Sequence, residues 1–227
     1  MCLEQGHRAA VRSVRAAGWV GYGVSQLSLE GVGFMSAEPA AEWHIPPAEG
    51  HTADDLDRIP DLPRHAELID GSIIVVSPQK RFHMKMLRLL ENALARSAPR
   101  DSFHVSREMS VVLGPRQRPE PDLIVVHAAA EIDDDASWYP AEAVVLAVEV
   151  VSPESQERDR VRKPLLYAGA GIPHFWRVEE NDGSPVVYAF EIEPATRQYV
   201  PTGIFHGRVD LKVPFEIDID LTEIDRM

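Results

Sequence analysis

Cysteine is nearly absent. Cys2 is the only one in 227 residues, so no internal disulfide forms and nothing requires an oxidising compartment. Long apolar runs are missing too: the longest uninterrupted aliphatic stretch, Ala143 to Val148, is far too short to cross a bilayer as a helix. Basic residues are scarce, with 23 Lys and Arg against 36 Asp and Glu. The resulting net charge of -13 argues against a chain whose main task is to coat nucleic acid, because affinity for phosphate backbones comes largely from cations that displace counterions. What remains is ordinary for a globular protein. Apolar residues at 44% and charged residues at 26% exclude wholesale disorder, and the length suffices to bury a core without disulfide or metal staples. A cytoplasmic, non-membrane protein is expected.

The charge is uneven. From Pro119 to Arg160 there are eleven acidic residues against two basic; from Lys80 to Arg118 there are nine basic against three acidic. That polarity suits a cation-binding region beside a basic flank, or equally two solvated faces of opposite sign. The first 34 residues differ from the rest, being rich in Gly, Ser, Ala and Arg. Glycines and the pair Ser25 and Gln26 interrupt any apolar segment, so a signal peptide is rejected. Met35 opens a more typical start and is a candidate initiation site; an intact mass matching Met1 would exclude it. Residues 1–50 are expected to be a poorly ordered or non-core extension, and 51–227 the folded domain. An acidic helix is expected around Thr52 to Arg58, with Thr52 as its cap.

Folded periodicity begins at Ala66. Glu67-Leu68-Ile69 and Ser72 to Val76 flank Asp70-Gly71, a pair that tolerates the positive φ of a tight hairpin turn. Ser77-Pro78 is expected to end the second strand. Phe82, Met86, Leu89, Leu90, Ala93 and Leu94 mark one face of a helix over Phe82 to Arg96. Short strands are predicted at Phe103 to Ser106 and Met109 to Leu113. Leu123 to Val126 and Val144 to Val151 do not alternate with polar residues, so they read as interior strands buried on both faces. A helical segment follows, ending near Ala170-Gly171, then strands at His174 to Val178 and Val186 to Ile192 around an Asp182-Gly183 turn. The tail, Tyr199 to Leu221, closes the edge. The order β-β-α-β-β-β-α-β-β predicts an α/β (α+β) fold, a mixed sheet with helices packed on it.

Three features carry chemistry. Glu149 interrupts an aliphatic run whose neighbours demand burial, and an unpaired buried carboxylate costs several kcal/mol. A basic side chain, a proton held through a raised pKa, or a metal ion would each meet that need. Asp122 follows Pro121 directly ahead of Leu123 to Val126, either as a turn residue or as a carboxylate held at a strand's end against a cation. Asp159, Lys163 and Tyr167 stand at i, i+4 and i+8, sharing a face if helical, although an exposed Asp-Lys pair would be worth only a few tenths of a kcal/mol. Pro164 either kinks a helix begun at Asp159 or opens one capped just before it. Scattered histidines and the Asp133-Asp134-Asp135 run lack zinc or calcium grammar. Trp138-Tyr139 and Phe175-Trp176 read as packing rather than base stacking.

These residues occur in an order with a precedent. Glu67-Leu68-Ile69-Asp70-Gly71, Ser77-Pro78 with His83, Pro121-Asp122, Val148-Glu149-Val150-Val151-Ser152-Pro153, Asp159 with Lys163 and Tyr167, and Ala170 to Trp176 together resemble the Uma-two family of restriction-endonuclease-like proteins, in the PD-(D/E)xK nuclease superfamily. The resemblance covers roughly Thr52 to Leu221. It implies a restriction-endonuclease-like core and an endonuclease that hydrolyses DNA phosphodiester bonds with Mg²⁺ or Mn²⁺. It further implies Asp122 and Glu149 as metal ligands, Lys163 as the migrated lysine that orients water or stabilises charge, and Glu67 as an assisting acid. Val151 stands where the motif's lysine usually lies, and His174 and Glu179 depart from the family pattern. A homodimer would serve two-strand cutting. Two other readings stay open: a non-catalytic regulatory module on a nuclease fold, and a hydrolase of a small phosphorylated metabolite.

Overall fold

Two strands without a polar face lie in the interior of the sheet. β5 (Leu123–His127) is buried along its first four residues, and β7 (Val144–Val150) along all seven. Around them a computed structural model describes residues 46–75, 79–130, 132–133 and 135–227. Cys2, the glycine-rich segment, Met35 and Ser77-Pro78 therefore lie outside the described residues. All described residues belong to one unit, Ala40–Met227.

The elements in chain order are β1 (Ala66–Ile69), β2 (Ser72–Val75), α1 (Arg81–Ser97), β3 (Phe103–Arg107), β4 (Ser110–Val112), β5, β6 (Trp138–Pro140), β7, α2 (Lys163–Ala170), β8 (His174–Asn181), β9 (Ser184–Glu193), β10 (Gln198–Phe205), β11 (Arg208–Leu211) and β12 (Ile217–Asp220). The main sheet has six strands in the order β10-β9-β8-β7-β5-β3. Only β7 and β8 are parallel within it, and the connection between them carries α2, as a parallel crossover requires. The predicted mixed sheet with packed helices is the observed architecture.

Each face of the sheet carries its own core. α1 lays Met86, Leu89, Leu90, Ala93 and Leu94 against Leu123, Val125, Leu146, Val148 and Trp176. On the other face Tyr167 and Ile172 meet Ile124, Val126, Ala147 and Phe175. Each fully buried aliphatic side chain of this kind contributes about 1.5–3 kcal/mol. Both expected turns form with left-handed backbone, at Asp70 (φ 55) with Gly71 (φ 78) and at Asp182 (φ 48) with Gly183 (φ 80). Gly171, φ 88, terminates α2 where a Cβ would be strained.

Some elements differ from expectation. The expected acidic helix forms as a short 3-10 helix, Ala53–Asp57, with Thr52 at its N-cap and Asp54 and Asp55 in its first turn. Trp138-Tyr139 contributes a strand, β6, parallel to β4, burying Tyr139 and leaving Trp138 partly exposed. The tail splits in two. β10 forms one edge of the main sheet, whereas β11 and β12 make a separate ribbon whose Val209, Ile217 and Ile219 pack into the α1 core. Alternation in Ile217-Asp218-Ile219-Asp220, apolar in and acidic out, is the physical reason. Pro164 does not end the helix: residues 156–170 are continuously helical, with a five-residue π turn, Arg158–Arg162, immediately before α2, and Pro164 is the second residue of α2.

Candidate active site

The antiparallel register that pairs Leu123 with Val148 brings Asp122 to the end of β5 beside Glu149 and Val150 of β7. The backbone N–H of Val150 donates to Asp122 Oδ2 at 2.6 Å, and His83 Nε2, from the first turn of α1, lies 2.9 Å from Asp122 Oδ1. Glu67 arrives from β1. That strand is held there by reciprocal backbone hydrogen bonds between Leu68 and Arg118, just upstream of β5. Glu67 Oε1 accepts from the backbone N–H of Glu120 at 3.1 Å.

Lys163 draws these acids together. Its Nζ lies 2.6 Å from Glu67 Oε1, 3.0 Å from Glu149 Oε2 and 3.4 Å from Asp159 Oδ1. The hydroxyl of Tyr167 donates to Glu149 Oε1 at 2.5 Å. Asp159, Lys163 and Tyr167 thus share one face, as their spacing predicts. The four residues expected to form the site, Glu67, Asp122, Glu149 and Lys163, line one cleft of about 330 Å³. Asp159 lines it too, although sequence reasoning gave it no role beyond its spacing. Glu108, Glu120, His65 and Arg158 are further lining residues that it missed. Glu120 sits between two prolines, a position that reads as turn punctuation.

Burial governs the electrostatics. Removal from water pushes the Glu149 carboxyl well above the ordinary range; Lys163 opposes this, while Asp159, Asp122 and Glu67 reinforce it. Asp159 is raised for the same first cause, with Lys163 and the Ser155 hydroxyl opposing. Burial alone would lower Lys163, but Glu149, Glu67 and Asp159 outweigh it and hold the ammonium well above the usual lysine range. Tyr167 is pushed up by burial and then by the neighbouring Glu149 charge, so it remains a hydroxyl donor. Three carboxylates around one lysine, with Asp122 beside them, leave a negative surplus that protons partly cover and that a bound cation would cover better.

The donors suit a hard cation. Asp122 and Glu149 present carboxylate oxygens from adjacent strands, and Glu67 Oε2 is buried with no hydrogen-bond partner. Among the described residues no three His, Cys, Asp or Glu side chains form a ready-made metal cage. Mg²⁺ asks for less, because it keeps several waters and takes one or two carboxylates.

Other expectations resolve differently. Part of the basic flank is committed to structure: buried Arg118 clamps both Asp57 oxygens at 2.7 and 2.9 Å, and Lys85 donates to the Ile224 carbonyl at 3.0 Å. Glu179 pairs with Arg160 and Arg177, outside the cleft lining, and His174 is likewise absent from it.

A family model described as "Uma2: Putative restriction endonuclease" matches residues 53–222. Among solved structures, a "putative nuclease belonging to DUF820" from Anabaena variabilis ATCC 29413 superimposes with a TM-score of 0.60 at 16% identity. The match covers 76% of this chain and 96% of that one, and it shows a shared fold. No curated protein matches this chain.

Proposed function

This chain belongs to the Uma2 restriction-endonuclease family, and on that premise we propose that it hydrolyses DNA phosphodiester bonds with Mg²⁺ or Mn²⁺ held by Asp122 and Glu149. The observation that carries the reading is the convergence of Glu67, Asp122, Glu149 and Lys163 on one cleft from four separate elements. A bound divalent ion would supply Lewis acidity at a phosphate oxygen and lower the pKa of water.

The chain's own groups divide the remaining work. His83 and the Val150 N–H fix both oxygens of Asp122, while Tyr167 and Lys163 fix both oxygens of Glu149. Such fixed carboxylates need no reorganisation when the reaction begins. Lys163, kept protonated by its acidic neighbours, is no general base; its charge offsets the negative charge that builds in the transition state. Glu67 Oε2, with no hydrogen-bond partner and only the Arg158 guanidinium at 4.0 Å, is the acceptor available to orient an attacking water or take its proton. Two-strand cutting would need two such clefts, so a homodimer belongs to the proposal.

The test is cleavage of supercoiled plasmid and of a labelled duplex, with Mg²⁺ or Mn²⁺ and then with EDTA. Wild type should cut only with the divalent ion, and Asp122→Asn should lower the rate by at least about a hundredfold. Cutting that persists in EDTA, or undiminished in Asp122→Asn, would refute the assignment.

A further inference from the structure

The cleft is a poor host for an anion. Six of its lining residues are carboxylic acids, and Lys163 is surrounded by three of them. A phosphodiester entering it needs a cation less tightly held than Lys163. Arg158 is the single arginine among the described residues lining the cleft. Its Nε is buried with no hydrogen-bond partner, and its ion pair with Glu67 Oε2, an oxygen that likewise has no hydrogen-bond partner, is loose at 4.0 Å. Its remaining hydrogen bond, from Nη1 to the Glu154 carbonyl, is long at 3.4 Å. The side chain is 28% exposed, so its outer edge meets solvent.

The backbone explains why it is there. Arg158 opens the π turn, and the Lys163 N–H donates to the Arg158 carbonyl, five residues back. In an α-helix residues five apart point about 140° away from each other. The wider π turn stacks them on one side, so guanidinium and ammonium face the same cleft. π turns recur at functional sites for such reasons.

We propose that Arg158 is the residue that grips the substrate phosphate, donating from its planar fork to non-bridging oxygens while Lys163 stays within the acidic cluster. This rests on the nuclease reading and names the group that recognises its substrate. The alternative, a purely structural Arg158 that steadies Glu67, predicts different measurements.

The experiment compares wild type, Arg158→Met and Arg158→Lys by anisotropy of a short fluorescent duplex in Ca²⁺ over a salt series. Cleavage kinetics in Mg²⁺, Mg²⁺ affinity and melting temperature are measured on the same proteins. Arg158→Met should bind the duplex about tenfold or more weakly. Its plot of log affinity against log salt should be shallower by about one unit, with Mg²⁺ affinity and melting unchanged. Arg158→Lys should restore that slope but not the full kcat. If wild type cuts DNA and Arg158→Met keeps wild-type affinity and slope, the proposal fails while the nuclease reading stands. Parallel loss of Mg²⁺ affinity and melting temperature would overturn it in favour of the structural role. A wild type that neither binds nor cuts DNA would remove the nuclease reading, and this proposal with it.

Discussion

Replacing Lys163 with Met should destabilise the metal-free protein by about 3–5 kcal/mol at pH 8, because three buried carboxylates lose their shared counter-charge. The deficit should shrink on acidification. Glu149 and Asp159 already sit above their ordinary values, 4.5 and 3.8, and without the ammonium they rise further. A carboxyl raised in the folded state contributes stability that is complete below the unfolded pKa and lost as pH climbs through the folded pKa. The variant's window of loss therefore reaches higher pH than that of wild type. Lys163 is itself raised above 10.5, so in wild type its contribution is constant from pH 5 to 8. Urea denaturation in EDTA at both pH values checks this: a smaller deficit at pH 5 is expected, and equal deficits would show that the lysine does not neutralise the cluster.

Glu149→Gln should separate chemistry from folding. Divalent-dependent cleavage should fall by ~10³-fold, equivalent to ~4 kcal/mol of transition-state stabilisation, since a neutral amide is a poor ligand for a hard cation. The fold should survive, because the amide keeps the shape of the side chain and Tyr167 can still hydrogen-bond to it. In EDTA the variant should also lose less stability than wild type between pH 5 and 9. The raised Glu149 carboxyl makes the wild-type folded state resist ionisation in that range, and Gln removes the cost. Denaturation curves parallel across that range would mean Glu149 is not the strained acid described above.

Much of this site is legible in the sequence because single positions break strong local rules. Glu149 stands in a run that tolerates no unpaired charge, and it has two partners, Lys163 and Tyr167, both on the face that the 159/163/167 spacing defines. The aliphatic runs correctly make β5 and β7 interior strands of the sheet, and their pairing carries Asp122 to its position. Long-range events are not readable from local patterns. His83 reaches Asp122 across 39 residues of sequence, and Glu67 depends on the β1 bridge to Arg118. The basic stretch from Lys80 to Arg118 cannot reveal from composition that Arg118 lies buried against Asp57. Pro164 offers two readings, and neither includes the π turn that brings Arg158 into the cleft. β6 escapes notice because a three-residue strand ending in Pro140 has no periodicity to detect.

The central claim is that Asp122 and Glu149 hold a divalent ion, and calorimetric titration of Mg²⁺ and Mn²⁺ into wild type and the Asp122→Asn/Glu149→Gln double variant tests it most directly. Wild type should bind one ion and release protons, seen as heats that differ between buffers of unlike ionisation enthalpy, because the raised Glu149 must ionise to coordinate. The double variant should show no binding. Equal binding by both proteins, or no binding by wild type even with a DNA duplex present, would contradict the account.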